Sequence, residues 1–271
     1  MTGGAIDAHV HLWDLERFGL SWFRPELGLP RAADVRALAV AAGEAATPVG
    51  RVTGAIAVQA ADTVEEAQWL SGLRDPLVAG VVLQYDPEDR PGGARSELAG
   101  RVRGVRVAVP ARRPDLADVA GIDALCDRIG RAHGVVEFLV GAEQLPAVAG
   151  IAARHPRTQI VVCHLGLGAA EPDDSWEAGL RAVAAQSNAA AKASGLVTAT
   201  DPAGDRLARA LAVAVDAFGP ERLLFGSDWP MSARIAPYAA VVDRTAAALP
   251  RLGASGDEAF WGGTARRIYR L

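Results

Sequence analysis

The segment VVEFLVGAEQLPAVAGIAARHPRTQIVVCHL, residues 135–165, contains one complete copy of the pattern that decides the fold. An apolar run predicts a strand over Val135–Val140, and apolar residues at three- and four-residue spacing predict a helix over Glu143–Arg154. His155-Pro156 places a helix breaker before a second apolar run, which predicts a strand over Gln159–Leu165. The segment therefore predicts a strand–helix–strand unit of a parallel sheet.

The same alternation continues toward both ends of the chain. The length of 271 residues is close to the roughly 250 residues of a typical TIM barrel, and no Pro- or Ser-rich linker divides the chain. We therefore predict an α/β fold, a TIM-type (β/α)8 barrel with a single domain over residues 1–271. The predicted strands are Ala5–Leu12, Thr53–Ala60, Val78–Tyr85, Val102–Val109, Val135–Val140, Gln159–Leu165, Ala189–Gly195 and Arg222–Asp228, and the predicted helices are Val64–Arg74, Asp115–Ala132, Glu143–Arg154, Ser175–Gln186 and Asp205–Ala217.

Composition and charge favour a small-molecule partner. The chain is 50% hydrophobic and 22% charged, which is too apolar for a disordered protein. The formal net charge is −4, and no run of Lys or Arg offers the positive surface that nucleic acid or an anionic membrane needs. No apolar stretch is long enough for a membrane span, and the start lacks the basic region of a signal peptide.

Cysteine usage points to a reducing compartment. Cys126 and Cys163 have neither the spacing of a metal motif nor the number of a disulfide framework, so both are predicted to be buried thiols. We expect a cytoplasmic protein. The outer helices of barrels often pack into homodimers, but the sequence leaves the oligomeric state open.

Polar residues occur where the predicted strands end. His9 and His11 are two apart on the first strand, so both side chains share one face, and the carboxyl ends of barrel strands are where barrel enzymes carry their active sites. Burying unpaired charges inside a barrel is costly unless they converge on a ligand, a water molecule or a metal. The other polar candidates are Gln59, Arg106, Glu137, His164, Lys192 and Asp228.

Each of these signals has a structural alternative. Two histidines on an exposed strand can simply be solvated, and an isolated His164 is more often a hydrogen-bonded core residue. Glu137 and Arg106 can form an ion pair inside the barrel, with Lys192 in the same network.

Aromatic residues follow the first strand and the last. The loop after Leu12 carries Trp13 and Trp22, and Trp229 follows Asp228. Aromatic faces suit sugar rings, so these side chains are candidates for substrate binding. The alternative is a hydrophobic lid that only covers the end of the barrel, and such a loop can also exclude water from a site.

Three motifs together resemble the amidohydrolase superfamily, in particular its branch of fuconolactonase-like sugar lactonases. They are IDAHVHLWD at residues 6–14, VVCHLGLG at 161–168 and LLFGSDWP at 223–230, and weaker likenesses extend over nearly the whole chain. The resemblance implies a (β/α)8 barrel and a hydrolase that opens a sugar-derived lactone. It also implies that His9, His11, His164 and Asp228 are the catalytic residues and the ligands of one divalent metal, zinc or manganese, although some relatives in this branch work without a metal.

The sequence departs from the pattern of that branch in three places. Val107 stands where a histidine commonly follows the arginine of the fourth strand, Cys163 stands where an aspartate is common, and Leu167-Gly168 replaces a usual Gly-Lys. Because neighbours on a strand face opposite ways, we expect Cys163 to point at the helices if His164 points inward. These departures leave the identity of the lactone open.

Ester hydrolysis needs a base, a water molecule and groups that stabilise the oxyanion. We expect Asp228, ionised at its ordinary pKa of about 3.9, to act as the base, and the three histidines to hold a metal or to donate hydrogen bonds. Arg106, Glu137, Lys192 and Gln59 are expected to orient the substrate. The alternatives are a metal-dependent non-oxidative decarboxylase on the same scaffold and a catalytically silent barrel that only binds a ligand.

Overall fold

Eight parallel strands form a barrel in the computed structural model, which describes residues 3–61, 63–86 and 98–271. Each strand pairs with the one that follows it along the chain, as the alternation of apolar runs predicted. The predicted TIM-type barrel is therefore confirmed. The strands are β1 Ala5–Val10, β2 Val52–Val58, β3 Val78–Gln84, β4 Val102–Ala108, β5 Val135–Leu139, β6 Gln159–Val162, β7 Ala189–Ala193 and β8 Leu223–Phe225.

The barrel is closed by contacts between the end of β1 and the residues just beyond β8. The backbone N–H of Asp228 donates to the carbonyl of His9 at 2.9 Å, and the N–H of His11 donates to the carbonyl of Trp229 at 2.7 Å. Val10 and Trp229 form a parallel bridge in the same place. The first and last motifs of the sequence are thus joined by backbone hydrogen bonds.

Helices cover the outside of the barrel, and one predicted helix begins later than expected. The helix predicted from Asp115 begins at Ile122, because Gly121 before it adopts a left-handed conformation with φ 75° and Asp115 caps a local turn by accepting from the N–H of Ala117. Among the described helices, none combines the length and the apolar character needed to cross a bilayer. The helices are α1 Val35–Gly43, α2 Val64–Gly72, α3 Ile122–Arg131, α4 Leu145–Arg154, α5 Asp174–Ala184, α6 Asp205–Phe218, α7 Tyr238–Ala248, α8 Gly253–Glu258 and α9 Thr264–Tyr269.

Apolar side chains fill two separate layers. A large cluster lies between the strands and the outer helices. It includes Val107, which is 1% exposed and stands where the branch that the sequence resembles commonly has a histidine. A smaller cluster fills the lower interior of the barrel, where residues such as Ile56 and Val135 meet Tyr269 from α9. Because α9 closes the end where the strands begin, only the carboxyl ends of the strands are available for a site.

Candidate active site

A register shift on β1 turns both histidines of the first motif into the barrel. Between Asp7 and Val10, β1 has one residue more than the facing stretch of β2, as in a β-bulge. Ala8 packs in the interior cluster and Val10 in the helix-facing cluster, so the extra residue changes the phase of the alternation. His9 and His11 therefore both face the interior. The sequence predicted that they share a face, but the bulge that selects this face was not foreseen.

Asp7 holds this bulge in place and was not singled out from the sequence. Its Oδ1 accepts from the N–H of His9 at 3.0 Å and from the N–H of Ser227 at 2.9 Å, and its Oδ2 accepts from the hydroxyl of Tyr238 at 2.8 Å. The carboxyl is fully buried, and burial raises its pKa. Asp7 thus connects β1 to the turn that precedes Asp228. A carboxylate within a buried apolar strand was the signal that could have identified it.

His164 and Asp228 lie just beyond their strands, in left-handed backbone conformations. Their φ angles are 55° and 59°, and strained conformations of this kind in residues other than glycine are concentrated at functional sites. The strands predicted to reach Leu165 and Asp228 end earlier, at Val162 and Phe225. These turns lift the two side chains over the barrel mouth.

Two glycines allow the close approach of the histidines. A Cβ at Gly195 would lie 2.6 Å from Nδ1 of His164, and a Cβ at Gly226 would lie 2.9 Å from Cβ of His9. Gly195 also has φ 62°, which other residues rarely adopt. Both positions therefore require glycine if the imidazoles are to keep their places.

The four residues predicted to form the site converge around one carboxylate oxygen. Oδ1 of Asp228 lies 3.7 Å from Nε2 of His9, 3.7 Å from Nε2 of His11 and 4.0 Å from Nε2 of His164. The two imidazoles of β1 are 3.3 Å apart at their Nε2 atoms. Separations of 3.7–4.0 Å are too long for direct hydrogen bonds, so these polar atoms face a shared gap.

The outer nitrogens of two imidazoles are fixed by neighbours. Nδ1 of His11 lies 2.7 Å from the carbonyl oxygen of Val58, which can only accept, so this nitrogen carries the proton and leaves a lone pair on Nε2. Nδ1 of His164 pairs with the hydroxyl of Ser194 at 2.9 Å. These contacts orient both rings toward Asp228.

Lys192 and Glu137 form a buried ion pair directly below His9. Nζ of Lys192 lies 2.7 Å from each carboxylate oxygen of Glu137 and 3.3 Å from Nδ1 of His9. An ammonium only donates, so His9 accepts at Nδ1 and its neutral ring carries the proton on Nε2, at the edge of the gap and 3.3 Å from Nε2 of His11. The hydroxyl of Tyr269 donates to Glu137 at 2.5 Å. Lys192 and Glu137 are both 0% exposed and contact each other and His9, and their contact with substrate stays a prediction.

Cys163 also belongs to this buried network. Its Sγ lies 3.3 Å from Oε2 of Glu137, so the expectation that it points at the helices is wrong. Regular alternation along β6 places Val161, and then Cys163, on the interior side. His164 reaches the mouth only because its left-handed turn ends the alternation. Cys126 and Cys163 are both buried free thiols, as predicted.

Arg106 and Gln59 hold the barrel wall beside the histidines. Nη2 of Arg106 donates to the carbonyl of Gln59 at 2.6 Å, so the alternative of an Arg106–Glu137 ion pair is wrong. The amide of Gln59 donates to the carbonyl of Thr63 at 3.0 Å and accepts from the N–H of Gln84 at 2.8 Å. Because both ends of this 2% exposed amide are bonded within the protein, Gln59 supports the wall, and its contact with substrate stays a prediction.

The tryptophans of the first loop occupy different depths. Trp13 is fully buried, donates from its indole to the carbonyl of Pro30 at 2.9 Å and packs edge-on against Trp22. The ring of Trp13 therefore lies inside the loop's own core, and its contact with substrate stays a prediction. Trp22 is partly exposed and donates to the carbonyl of Ala60 at 2.9 Å, and Trp229 is 6% exposed.

Burial sets the charge of the site. Desolvation, assisted by Lys192, lowers the pKa of His9 well below its ordinary value, and desolvation lowers the pKa of His164 to about 4. Desolvation and then Arg106 lower the pKa of His11. Desolvation raises the pKa of Asp228 to about 7, so the expectation of an ordinary pKa is wrong. The imidazoles are therefore neutral near pH 7, and Asp228 gains or loses a proton there.

The donor atoms fit a divalent metal ion. One ligand atom from each of His9, His164 and Asp228 lies within 4.8 Å of the others, and imidazole nitrogens with a carboxylate oxygen are an ordinary zinc donor set. A second group that includes Glu137 and Cys163 also has this spacing, but the Lys192 ammonium already lies against it. The candidate metal centre is therefore the group at the mouth.

Comparison with known proteins gives consistent matches over the whole chain. The family model described as amidohydrolase matches residues 6–271. An L-fucono-1,5-lactonase from Burkholderia multivorans is 34% identical over 98% of this chain and 96% of its own length, and one from Burkholderia ambifaria is 29% identical over 84% of this chain and 80% of its own. The crystal structure of an amidohydrolase from Burkholderia multivorans with bound zinc has a TM-score of 0.82 and 30% identity, and covers 99% of this chain and 100% of its own.

Proposed function

Because this chain belongs to the amidohydrolase family, we propose that it is a hydrolase that opens a sugar-derived lactone to the corresponding hydroxy acid. One observation carries the proposal: the carboxylate of Asp228 faces three neutral imidazoles across a gap of 3.7–4.0 Å. Two relatives named L-fucono-1,5-lactonase support the same class of substrate.

Asp228 is the base of this proposal. When ionised, its Oδ1 accepts a proton from a water molecule in the gap, and the water oxygen attacks the lactone carbonyl carbon. The tetrahedral intermediate then collapses with loss of the ring oxygen. The protonated carboxyl returns its proton to that oxygen, which becomes the hydroxyl of the product. A carboxyl whose pKa is about 7 is suited to both transfers near neutral pH.

His9 supplies a hydrogen-bond donor for the developing oxyanion. Lys192 contacts Nδ1 of His9 and so keeps the proton of the neutral ring on Nε2, at the gap. A donor placed in advance where charge develops lowers the barrier without reorganisation. Lys192 and Glu137 thus act on the substrate only through His9, as positioning residues.

A divalent metal, zinc or manganese, would be held by His9, His164 and Asp228, with His11 adjacent. Binding through Nε2 of His9 would require the proton of that ring to move to Nδ1, so the metal would replace His9 as the group that stabilises the oxyanion. When bound, it would polarise the carbonyl and acidify the attacking water. Nε2 of His11 keeps a lone pair because Nδ1 contacts the carbonyl of Val58, so this atom is suited to be a metal ligand. Trp22, Trp229 and Arg106 remain the proposed residues for contact with the sugar ring and its hydroxyls.

The test is an assay of acid release from a panel of sugar 1,5-lactones that includes L-fucono-1,5-lactone. Each lactone is measured against its spontaneous hydrolysis, after chelator treatment and after addition of zinc or manganese. Enzyme-dependent acid release is expected, and the metal arms decide whether a metal is required. Absence of turnover on every lactone, or release of carbon dioxide from aromatic acids instead, would refute the proposal.

The matched variant is Asp228→Asn, which keeps the size of the side chain and removes the base. We expect no turnover, with an unchanged thermal midpoint and retained binding of the open-chain acid. A fully active Asp228→Asn protein would exclude this residue as the base.

A further inference from the structure

A cavity of about 120 Å³ lies beside Asp228, between the ends of β7 and β8 and helices α6 and α7. A cavity of about 10–15 Å³ already holds one water molecule, so this space exceeds what one hydroxyl group needs and suits a short substituent. The wall is apolar where it is formed by Leu207, Met231 and Val241. Asp228 contributes to the same wall, so the cavity adjoins the position of the lactone carbonyl.

Ser232 is one of the residues that line this cavity, and its buried hydroxyl has no partner among the described residues. The residue is 6% exposed, and its Oγ makes no hydrogen bond within the described part of the chain. Buried hydroxyls in folded proteins are nearly always bonded, and each exception calls for an explanation. A hydroxyl on a ligand would supply the missing bond.

The other hydroxyls around the cavity are already engaged. Thr245 donates to the carbonyl of Val241 at 2.8 Å, Thr198 pairs with Thr200 at 3.2 Å, and Ser194 pairs with His164 at 2.9 Å. Ser232 therefore differs from its neighbours, and the difference does not arise from a general lack of partners in this region.

We propose that this cavity receives the exocyclic substituent on the ring carbon next to the ring oxygen of the lactone, and that Ser232 hydrogen-bonds a hydroxyl on that substituent. The proposal rests on the proposed lactone hydrolysis. In a 1,5-lactone the carbonyl carbon bonds to the ring oxygen, which bonds to the carbon that carries this substituent. With the ring oxygen toward this wall, a substrate carbonyl beside Asp228 places the substituent in the cavity. The apolar residues accommodate its carbon, and Ser232 accommodates one hydroxyl.

Two lactones that differ only in this hydroxyl test the proposal. L-galactono-1,5-lactone carries a hydroxymethyl group where L-fucono-1,5-lactone carries a methyl group. In Ser232→Ala, kcat/KM for the galactono-lactone is expected to fall about 3–10-fold, the effect of one hydrogen bond, and kcat/KM for the fucono-lactone is expected to change little. The thermal midpoint should not fall, because the serine hydroxyl loses no bond within the protein.

A matched control and a second variant complete the experiment. Thr245→Val removes a hydroxyl from the same cavity that is bonded within its helix, and it should leave the ratio of the two kcat/KM values unchanged. Ser232→Val narrows the cavity and should slow both lactones relative to D-arabinono-1,5-lactone, which has only hydrogen at that carbon.

The assignment of the cavity and the proposed lactone hydrolysis would be refuted by different results. If the wild-type protein opens these lactones but Ser232→Ala leaves their ratio unchanged, the assignment of the cavity is overturned and lactone hydrolysis stands. If the wild-type protein opens none of them, both proposals are refuted.

Discussion

Replacing Lys192 by Met should destabilise the protein strongly, because it leaves the Glu137 carboxylate buried without its counter-charge. Lys192 makes two contacts of 2.7 Å with Glu137, and both side chains are 0% exposed. Removing one partner of a buried ion pair costs about 3–5 kcal/mol. At about 2–3 °C per kcal/mol for a chain of this length, the thermal midpoint should fall by about 6–15 °C.

The double variant Glu137→Gln/Lys192→Met tests the cause of this loss. The amide that replaces the carboxylate is neutral, and its oxygen can still accept from Tyr269. Most of the stability should therefore return, because the cost comes from the unpaired charge. The measurement is urea unfolding and the thermal midpoint of the wild type, the single variant and the double variant.

Arg181→Met is the control for this series, because Arg181 of α5 pairs at the surface with Glu177 of the same helix and with Asp216 of α6. Ion pairs at such positions contribute little, so this variant should keep nearly the stability of the wild type. A Lys192→Met protein as stable as the wild type, or a double variant no better than the single one, would refute the reasoning.

Three further predictions concern the mouth of the barrel. With metal removed, kcat/KM should fall about tenfold per pH unit below about 7, because the base Asp228, whose pKa burial raises to about 7, must be ionised; a rate that is flat from pH 5 to 8 would contradict this. Gly195→Ala should lower kcat/KM about 100-fold, because the new Cβ would lie 2.6 Å from Nδ1 of His164; steady-state kinetics at an unchanged fold by circular dichroism is the check. Asp7→Ala should cost about 2–6 kcal/mol in urea unfolding, since it leaves the N–H of His9 and a second buried N–H unpaired, and Asp7→Asn should cost less because its amide oxygen can still accept; equal losses would argue against the hydrogen-bond explanation.

The barrel was predictable because its cause is local. Apolar runs such as Val135–Leu139 and the amphipathic helix Leu145–Arg154 follow from side-chain periodicity along a few residues. The prediction was less accurate at element ends. The helix over residues 115–132 was started seven residues too early, because the left-handed Gly121 interrupts a periodic stretch that otherwise favours a helix.

The candidate site was only partly predictable. His9, His11, His164 and Asp228 meet as expected, because each lies at or just beyond the carboxyl end of a strand of one parallel barrel and these ends share a face. The ion-pair partner of Glu137 was predicted wrongly. Arg106 and Lys192 occupy the same type of strand position, and spacing along the chain does not show which of them lies closer to Glu137. Their distances depend on how far each side chain reaches across the barrel interior.

The amino-acid sequence by itself determined the order of strands and helices and the types of residue available for chemistry. It also showed that the chain has no run of basic residues. Periodicity and charge are properties of short stretches, so these features need no tertiary structure. The tertiary structure alone decided the bulge held by Asp7, the left-handed turns at His164 and Asp228, and the proton position on His9. These features depend on contacts between residues far apart in the chain, and the burial that raises the pKa of Asp228 exists only when the barrel is closed.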